Sequence, residues 1–264
     1  MTRSDGYLLD NGQSEAGRRF AALATLFDPG TFRHLEHLGV APGGRCWEVG
    51  AGGTSVISWL AERVGPAGRV LATDIDTSWA TAAARPPVEV RTHDVGTGEP
   101  PGERFDLVHA RLVLVHVPDR DRALRTMIDS LRPGGHLLIE DADPALQPLL
   151  CPEEYGPAQE LANRLRRGFR SLLAERGADL SYGRRLPRLL REAGLKDVRA
   201  DAYFPITSPA CTELEAATVR QVRGRLVAAG LATDEEIDRH LAHLASGTMD
   251  LATSPMISAW GRKE

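Results

Sequence analysis

Lysine is almost absent from this chain. It occurs only at Lys196 and Lys263, so arginine supplies nearly all of the 32 basic residues, and 36 acidic residues leave a formal net charge of −4. That balance offers no general basic surface for the phosphates of a nucleic acid. The one arginine group, Arg164, Arg166, Arg167 and Arg170, has helical spacing and is expected to form a solvated face. Cysteine is scarce too. Cys46, Cys151 and Cys211 are odd in number, widely spaced and free of any CxxC pair, which excludes a disulfide framework, speaks against metal ligation and suits a reducing cytosol. No apolar run approaches the roughly 18 residues of a membrane-spanning helix, and the opening MTRSDG is polar. A soluble cytoplasmic protein with no membrane partner is expected. No internal repeat or low-complexity linker divides the chain.

At 264 residues the chain can bury a full core and still carry a cap or insertions. The stretch CWEVGAGGTS at residues 46–55 organises the rest. Cys46, Trp47 and Val49 read as a short buried strand, and Gly50, Gly52 and Gly53 let the backbone turn sharply and approach a ligand without side chains in the way. A helix follows from Thr54 or Ser55, both good N-cap types, with Ile57, Leu60, Ala61 and Val64 at i, i+3, i+4, i+7 and Gly65 as its stop. The next apolar run, RVLATDID from Arg69, ends in Asp74 and Asp76. An acid about 20 residues beyond such a turn is placed to bind a ribose. Ser55, however, stands where the dinucleotide fingerprint GxGxxG has its third glycine. Glu48 then points to the ligand: a carboxylate inside the first strand repels a pyrophosphate but attracts a molecule carrying an ammonium and a sulfonium. S-adenosylmethionine is such a molecule.

At these residues the chain resembles motif I of the class I S-adenosylmethionine-dependent methyltransferases, an acid, one residue, then GxGxG. Glu48, Gly50 and Gly52 match, while the third glycine falls on Thr54, with Gly53 one place earlier. The segments FDLVHARLVLVHVPD and LRPGGHLLIED resemble later motifs of the same family, so the likeness covers residues 40–143. It implies S-adenosylmethionine as cofactor, with Glu48 near the amino-acid moiety, Asp74 on the ribose hydroxyls and Asp94 at the adenine amino group. Ile75, Val95 and Arg111 are implied as further cofactor contacts. Some sugar and polyketide O-methyltransferases that this chain resembles carry a histidine before PDR and an aspartate near the end of the fifth strand. They imply His116 and Asp141 as a catalytic pair, although a histidine ending a buried strand is often a hydrogen-bonded core residue. His109 is a weaker candidate. By the same resemblance Tyr7 and Arg18 are expected at cofactor or substrate, and Asp143 at the substrate.

Apolar runs at residues 88–94, 105–111 and 136–143 read as further strands, the last entered through a Pro133-Gly134-Gly135 turn. A helix capped by Asp119 carries Leu124, Met127, Ile128 and Leu131. Before the sheet, one helix bears Phe20, Leu23, Ala24 and Phe27, and Asp28 caps a second with Pro29 at N1. Strands separated by helices require right-handed parallel crossovers, hence an α/β fold: a doubly wound, Rossmann-like sheet with ligands at the carboxyl ends of its strands. The expected organisation is an N-terminal arm and helices over 1–40, a core over 41–143, a helical lid over 144–181, core again over 182–208 and a second helical insertion over 209–252. Thr212 and Thr233 begin capping boxes in that insertion. VRADAYFPIT, from Val198, reads as the sixth strand, and the closing segment 253–264 supplies a last strand, which the resemblance implies is antiparallel at the edge beside the sixth. His34/His37 and His240/His243 have helical spacing but no third ligand nearby, and are expected at the surface.

Three function classes stay open. The first is a methyltransferase of a small, largely apolar acceptor, with oxygen favoured over carbon or nitrogen, in bacterial secondary metabolism; the arginine bias suits a GC-rich genome. The second acts on RNA or protein. The third is a cyclase or binding protein that keeps the fold without methyl transfer. Either a monomer or a homodimer is compatible with the sequence.

Overall fold

The computed structural model describes Leu8, Leu9 and residues 11–264. The short apolar runs become seven strands among these residues: β1 (Arg45–Val49), β2 (Arg69–Asp74), β3 (Val88–Thr92), β4 (Phe105–Arg111), β5 (Leu131–Ala142), β6 (Lys196–Tyr203) and β7 (Met256–Arg262). They form one sheet in the order β3-β2-β1-β4-β5-β7-β6. The pairs among β1 to β5 are parallel, and β7 runs antiparallel to both β5 and β6. The order reverses between β1 and β4, the place where an open α/β sheet leaves a crevice for a ligand.

The seventh strand was expected at the edge; instead it lies between β5 and β6. Burial explains the placement. β7 is buried at Met256, Ile257, Ser258, Ala259 and Gly261, whereas β6 has six exposed residues and no fully buried one, as suits an edge.

Seven α-helices accompany the sheet among the described residues: α1 (Ser14–His37), α2 (Ser55–Val64), α3 (Arg120–Asp129), α4 (Pro157–Glu175), α5 (Leu186–Glu192), α6 (Pro209–Ala228) and α7 (Asp234–Ala245). Several starts and stops follow the local chemistry. Gly65 at φ +63 ends α2, the Asp119 carboxylate caps α3 at the Arg122 amide, and Thr233 with Glu236 closes a capping box on α7.

Three local expectations are overturned. The expected break at Asp28 does not occur, and α1 runs through with Pro29 inside it. An internal proline costs about 3 kcal/mol, but Asp28 gives its carboxylate to Arg111 at 2.8 Å rather than to a helix start, and Phe27, Thr31 and Leu35 on either side are buried. Thr212 caps nothing, because Pro209 begins α6 one turn earlier behind Ser208, whose hydroxyl accepts from Ala210 N at 3.3 Å. Leu131 is not on α3 but opens β5 opposite Phe105, which turns Pro133-Gly134-Gly135 into an irregularity within the strand.

The chain divides into two compact units. One comprises Phe27–Ala142, Ser181–Tyr203 and Met256–Glu264 and holds the whole sheet. On one face of that sheet Trp47, Val108 and Leu137 pack with Leu124 and Met127 of α3 and Leu186 and Leu190 of α5. On the other, Cys46, Val70, Leu107 and Leu138 pack with Ile57 and Leu60 of α2 and Leu35 of α1. The second unit contains Asp143–Leu180, Phe204–Pro255 and the chain up to Leu26. Its core joins Leu161, Leu165 and Leu172 of α4 to Val219, Val222 and Leu226 of α6 and Ile237 of α7. All three cysteines are free and buried. No helix among the described residues is long and apolar enough to cross a membrane.

Two surface expectations are also corrected. Arg167 is exposed, but Arg166 turns to the buried Glu215 at 2.5 Å, and Glu215 also meets His240 Nε2 at 3.3 Å. His240 is fully buried and His34 nearly so, since each has found a carboxylate partner far away in sequence; His37 is exposed as expected.

Candidate cofactor and catalytic site

The turn after β1 has the backbone that its glycines allow. Gly50 and Gly52 adopt φ of +66 and +54, and Gly53 is not in the positive region. At Gly50 the lack of a side chain is also a matter of space, for a Cβ there would lie 2.2 Å from Val113 Cγ2. The loop after β4 is therefore packed against the turn. Asp74, closing β2, reaches across to brace it: its Oδ2 accepts from Gly52 N at 2.9 Å and its Oδ1 from Asp76 N at 3.0 Å. Burial raises the Asp74 pKa, and the amide hydrogen bonds oppose that rise.

Around this turn the expected cofactor residues take distinct positions. Ile75 is 57% exposed, an uncovered apolar side chain directly after the acid, while Val95 is buried. Asp94 follows β3 and accepts from Gly96 N at 2.9 Å and from Thr97 Oγ1 at 2.8 Å. Arg111, at the end of β4, is engaged by Asp28 and donates to Thr31 Oγ1 at 3.0 Å. Glu48 is 2% exposed, and its Oε2 lies 2.6 Å from His109 Nδ1. The Glu48 to His109 contact follows from the β1–β4 register, in which the two residues are direct neighbours.

The expected catalytic pair is not assembled as a pair. His116 is half-buried on the loop between β4 and α3, its amide donating to Val113 O at 2.9 Å. Asp141 is fully buried on β5, and neither of its oxygens has a well-formed hydrogen bond, to His116 or to any other described residue. It faces the backbone amides of Val113, Leu114 and Val115, which favour its charged form, but burial outweighs them and pushes its pKa up to about 8. A carboxyl that is neutral at pH 7 gives an imidazole no anionic partner. Asp143, in the second unit, is buried and accepts from Leu146 N at 3.2 Å. Arg18 is largely exposed and pairs with Glu15 at 3.7 Å. Tyr7 lies outside the described residues.

Asp141→Asn tests the neutral state. The folded protein keeps a proton on Asp141 up to about pH 8 that an unfolded chain gives up near 3.8, so this group withdraws stability as pH rises through that interval. The asparagine variant is expected to be more stable than the parent at pH 8 in denaturant titrations, with kcat at pH 7 within about threefold. A fall in kcat of a hundredfold or so at unchanged cofactor affinity would show that a carboxylate is needed.

His109 is more deeply engaged than its place in the sequence suggests. It is fully buried between Glu48 and Glu140, and burial, which favours the neutral ring, is overcome by the two carboxylates, pushing its pKa up to about 9. The signal lay in strand pairing: aligning the first and fourth strands in parallel sets Glu48 beside His109.

A parallel sheet with a glycine turn at its order reversal and an acid closing the neighbouring strand defines a nucleoside-cofactor fold. A methyltransferase-domain family model matches residues 18–200. The chain is 34% identical over 228 residues to the methyltransferase str2 of Strobilurus tenacellus, covering 78% of each chain. It is 31% identical over 124 residues to the ubiquinone/menaquinone biosynthesis C-methyltransferase UbiE of Vibrio parahaemolyticus, covering 44% of this chain and 48% of that one. Among solved structures, the Haemonchus contortus phosphoethanolamine N-methyltransferase 2 in complex with phosphomonomethylethanolamine and S-adenosylhomocysteine shares the fold at TM-score 0.59 and 17% identity, over 100% of this chain and 61% of that one. The chain belongs to the class I S-adenosylmethionine-dependent methyltransferases. The residues fit that cofactor: the turn is built from glycines, two of them at positive φ, and acids stand on β1 and at the end of β2.

Proposed function

We propose that the chain methylates a small, largely apolar acceptor at a hydroxyl, with carbon or nitrogen as the runner-up, in bacterial secondary metabolism. S-adenosylmethionine supplies, when bound, an electrophilic methyl group on a sulfonium. Glu48 is assigned to its amino-acid moiety, Asp74 to the ribose, and Asp94 with Ile75 and Val95 to the adenine. Arg111 is left out, because Asp28 and Thr31 already hold its guanidinium. The helices α4, α6 and α7 are read as the part of the chain that selects the acceptor.

The observation that carries the hydroxyl reading is the position of His116. It lies on the loop whose Val113 packs against Gly50, is not sealed in the core, and is of the residue type that exchanges protons near neutral pH. His116 takes the acceptor's hydroxyl proton as the oxygen attacks. Relatives that bear the names of N- and C-methyltransferases leave the acceptor atom open, so kinetics must choose. His116→Ala is expected to lower kcat at least about a hundredfold with hydroxyl acceptors, to leave cofactor affinity intact, and to remove the acidic limb of the pH profile. A rise in acceptor KM at constant kcat would make His116 a binding residue instead. Binding of S-adenosylmethionine with no turnover on phenols, indoles or sugars would favour the cyclase or binding class.

A further inference from the structure

A file of charge, buried as far as His34, crosses the sheet unit from the strand that precedes the glycine turn. Glu48 of β1 meets His109 Nδ1 at 2.6 Å, His109 Nε2 of β4 meets Glu140 of β5 at 3.3 Å, Glu140 meets His34 Nδ1 of α1 at 3.2 Å, and His34 Nε2 meets Asp201 of β6 at 3.1 Å. His109 has no exposed surface. Each of its ring nitrogens faces a carboxylate, and an ionised carboxylate can only accept. Both nitrogens must therefore carry a proton.

Glu140 has other donors, the hydroxyls of Thr31 and of Ser258, the latter at 2.7 Å. Glu48 has none: among the described residues, His109 at its Oε2 is its only side-chain hydrogen-bond partner, and Oε1 is left over. An uncharged residue at position 109 would leave the Glu48 carboxylate buried and alone. Such a group takes up a proton or turns away, and either change removes the anion that an ammonium needs.

We propose that His109 is the positioning residue for cofactor binding: as an imidazolium it grips Glu48 Oε2, fixes that carboxylate in place, and leaves Oε1 for the ammonium of the methionine moiety. This rests on the assignment of Glu48 to that moiety. The groups that set the state of His109 are Glu48 from β1, Glu140 from β5 with its partners Thr31 and His34 from α1 and Ser258 from β7, and Arg111 on its own strand, whose charge also acts on Glu140.

The test is calorimetric titration with S-adenosylhomocysteine of the parent, His109→Gln, His109→Asn, Glu48→Gln and the Glu48→Gln/His109→Gln double variant, with thermal melting of each. Both His109 variants are expected to bind at least about tenfold more weakly at pH 7, and the double variant no more weakly than Glu48→Gln alone, since the pair acts as a unit. The advantage of the parent over His109→Gln should fade as pH rises through about 9. If His109→Gln lowers the melting temperature but leaves affinity within about twofold while Glu48→Gln weakens binding, His109 is structural only and the proposal is overturned. If Glu48→Gln itself binds normally, the assignment of Glu48 fails instead. Should neither His109 variant fold, nitrogen-15 NMR of the parent decides: two protonated ring nitrogens at pH 7, perturbed by S-adenosylhomocysteine, support the role, and a neutral tautomer or an unperturbed ring overturns it.

Discussion

Gly50→Ala is expected to weaken S-adenosylhomocysteine binding by about a hundredfold or more while the protein still folds. Two separate costs meet at this residue. Its φ of +66 lies in the left-handed region, which disfavours a Cβ by about 1–2 kcal/mol. The added atom would also sit 2.2 Å from Val113 Cγ2, so either the turn or the loop after β4 must shift. That loop carries His116, and the displacement is expected to reach kcat as well as cofactor affinity. Val113→Ala added to Gly50→Ala should restore part of the loss by removing the clash, though not the backbone strain. Calorimetry and melting curves on the single and double variants would measure both, and unchanged affinity in Gly50→Ala would exclude this turn as the cofactor cradle.

Glu140→Ala is expected to cost about 3–5 kcal/mol of stability, the range for breaking a buried charge pair from one side. The change leaves His109 with one carboxylate instead of two, strips His34 of its partner at Nδ1 and abandons the hydroxyls of Thr31 and Ser258. The pH dependence gives the signature. Despite its burial, the Glu140 pKa is held well below the ordinary carboxylate range by His109 and His34, so its contribution is present above about pH 4.5 and is lost as pH falls through the folded value. His109 works in the opposite sense. Its pKa is raised to about 9, so its contribution is complete below 6.5 and is lost as pH rises through 9. Urea titrations in an Asp141→Asn background, which removes the decline that Asp141 imposes between 3.8 and about 8, should show a plateau between these limits, and adding Glu140→Ala should lower it and soften its edges. A loss below about 1 kcal/mol would mean that water or relaxation replaces the carboxylate.

Features encoded within a few neighbouring residues were legible in the sequence. Gly50 and Gly52 at the turn, Asp74 at the end of β2, Asp119 before α3 and the Thr233 box need only a local backbone to be understood, and all are where the sequence puts them. The class of cofactor could be read from the same stretch, because Glu48 and the turn are adjacent. What escaped depended on partners distant in the chain. Pro29 looked like a helix start until Arg111, about eighty residues away, claimed Asp28. The burial of His34, His109 and His240 reflects Glu140, Glu48 and Glu215, each brought close by packing that periodicity does not reveal. Asp141 was recognised as an acid near strand ends, but its protonation is a property of the enclosure around it.

The insertion of β7 between β5 and β6 has a consequence for the order of assembly. β6 emerges from the ribosome before the strand it bonds to, and the whole of Phe204–Pro255 must be synthesised before that neighbour, β7, appears. Until then β5 presents an open flank, and the ionised Glu140 lacks the hydroxyl of Ser258. When β7 arrives it zips both gaps at once, and Lys263 just beyond it fastens onto the carbonyls of Ile128, Asp129 and Leu131. Nascent chains arrested before residue 256 should therefore hold a half-built sheet with two raw edges, the form most open to chaperone capture or to misassociation with a neighbouring copy.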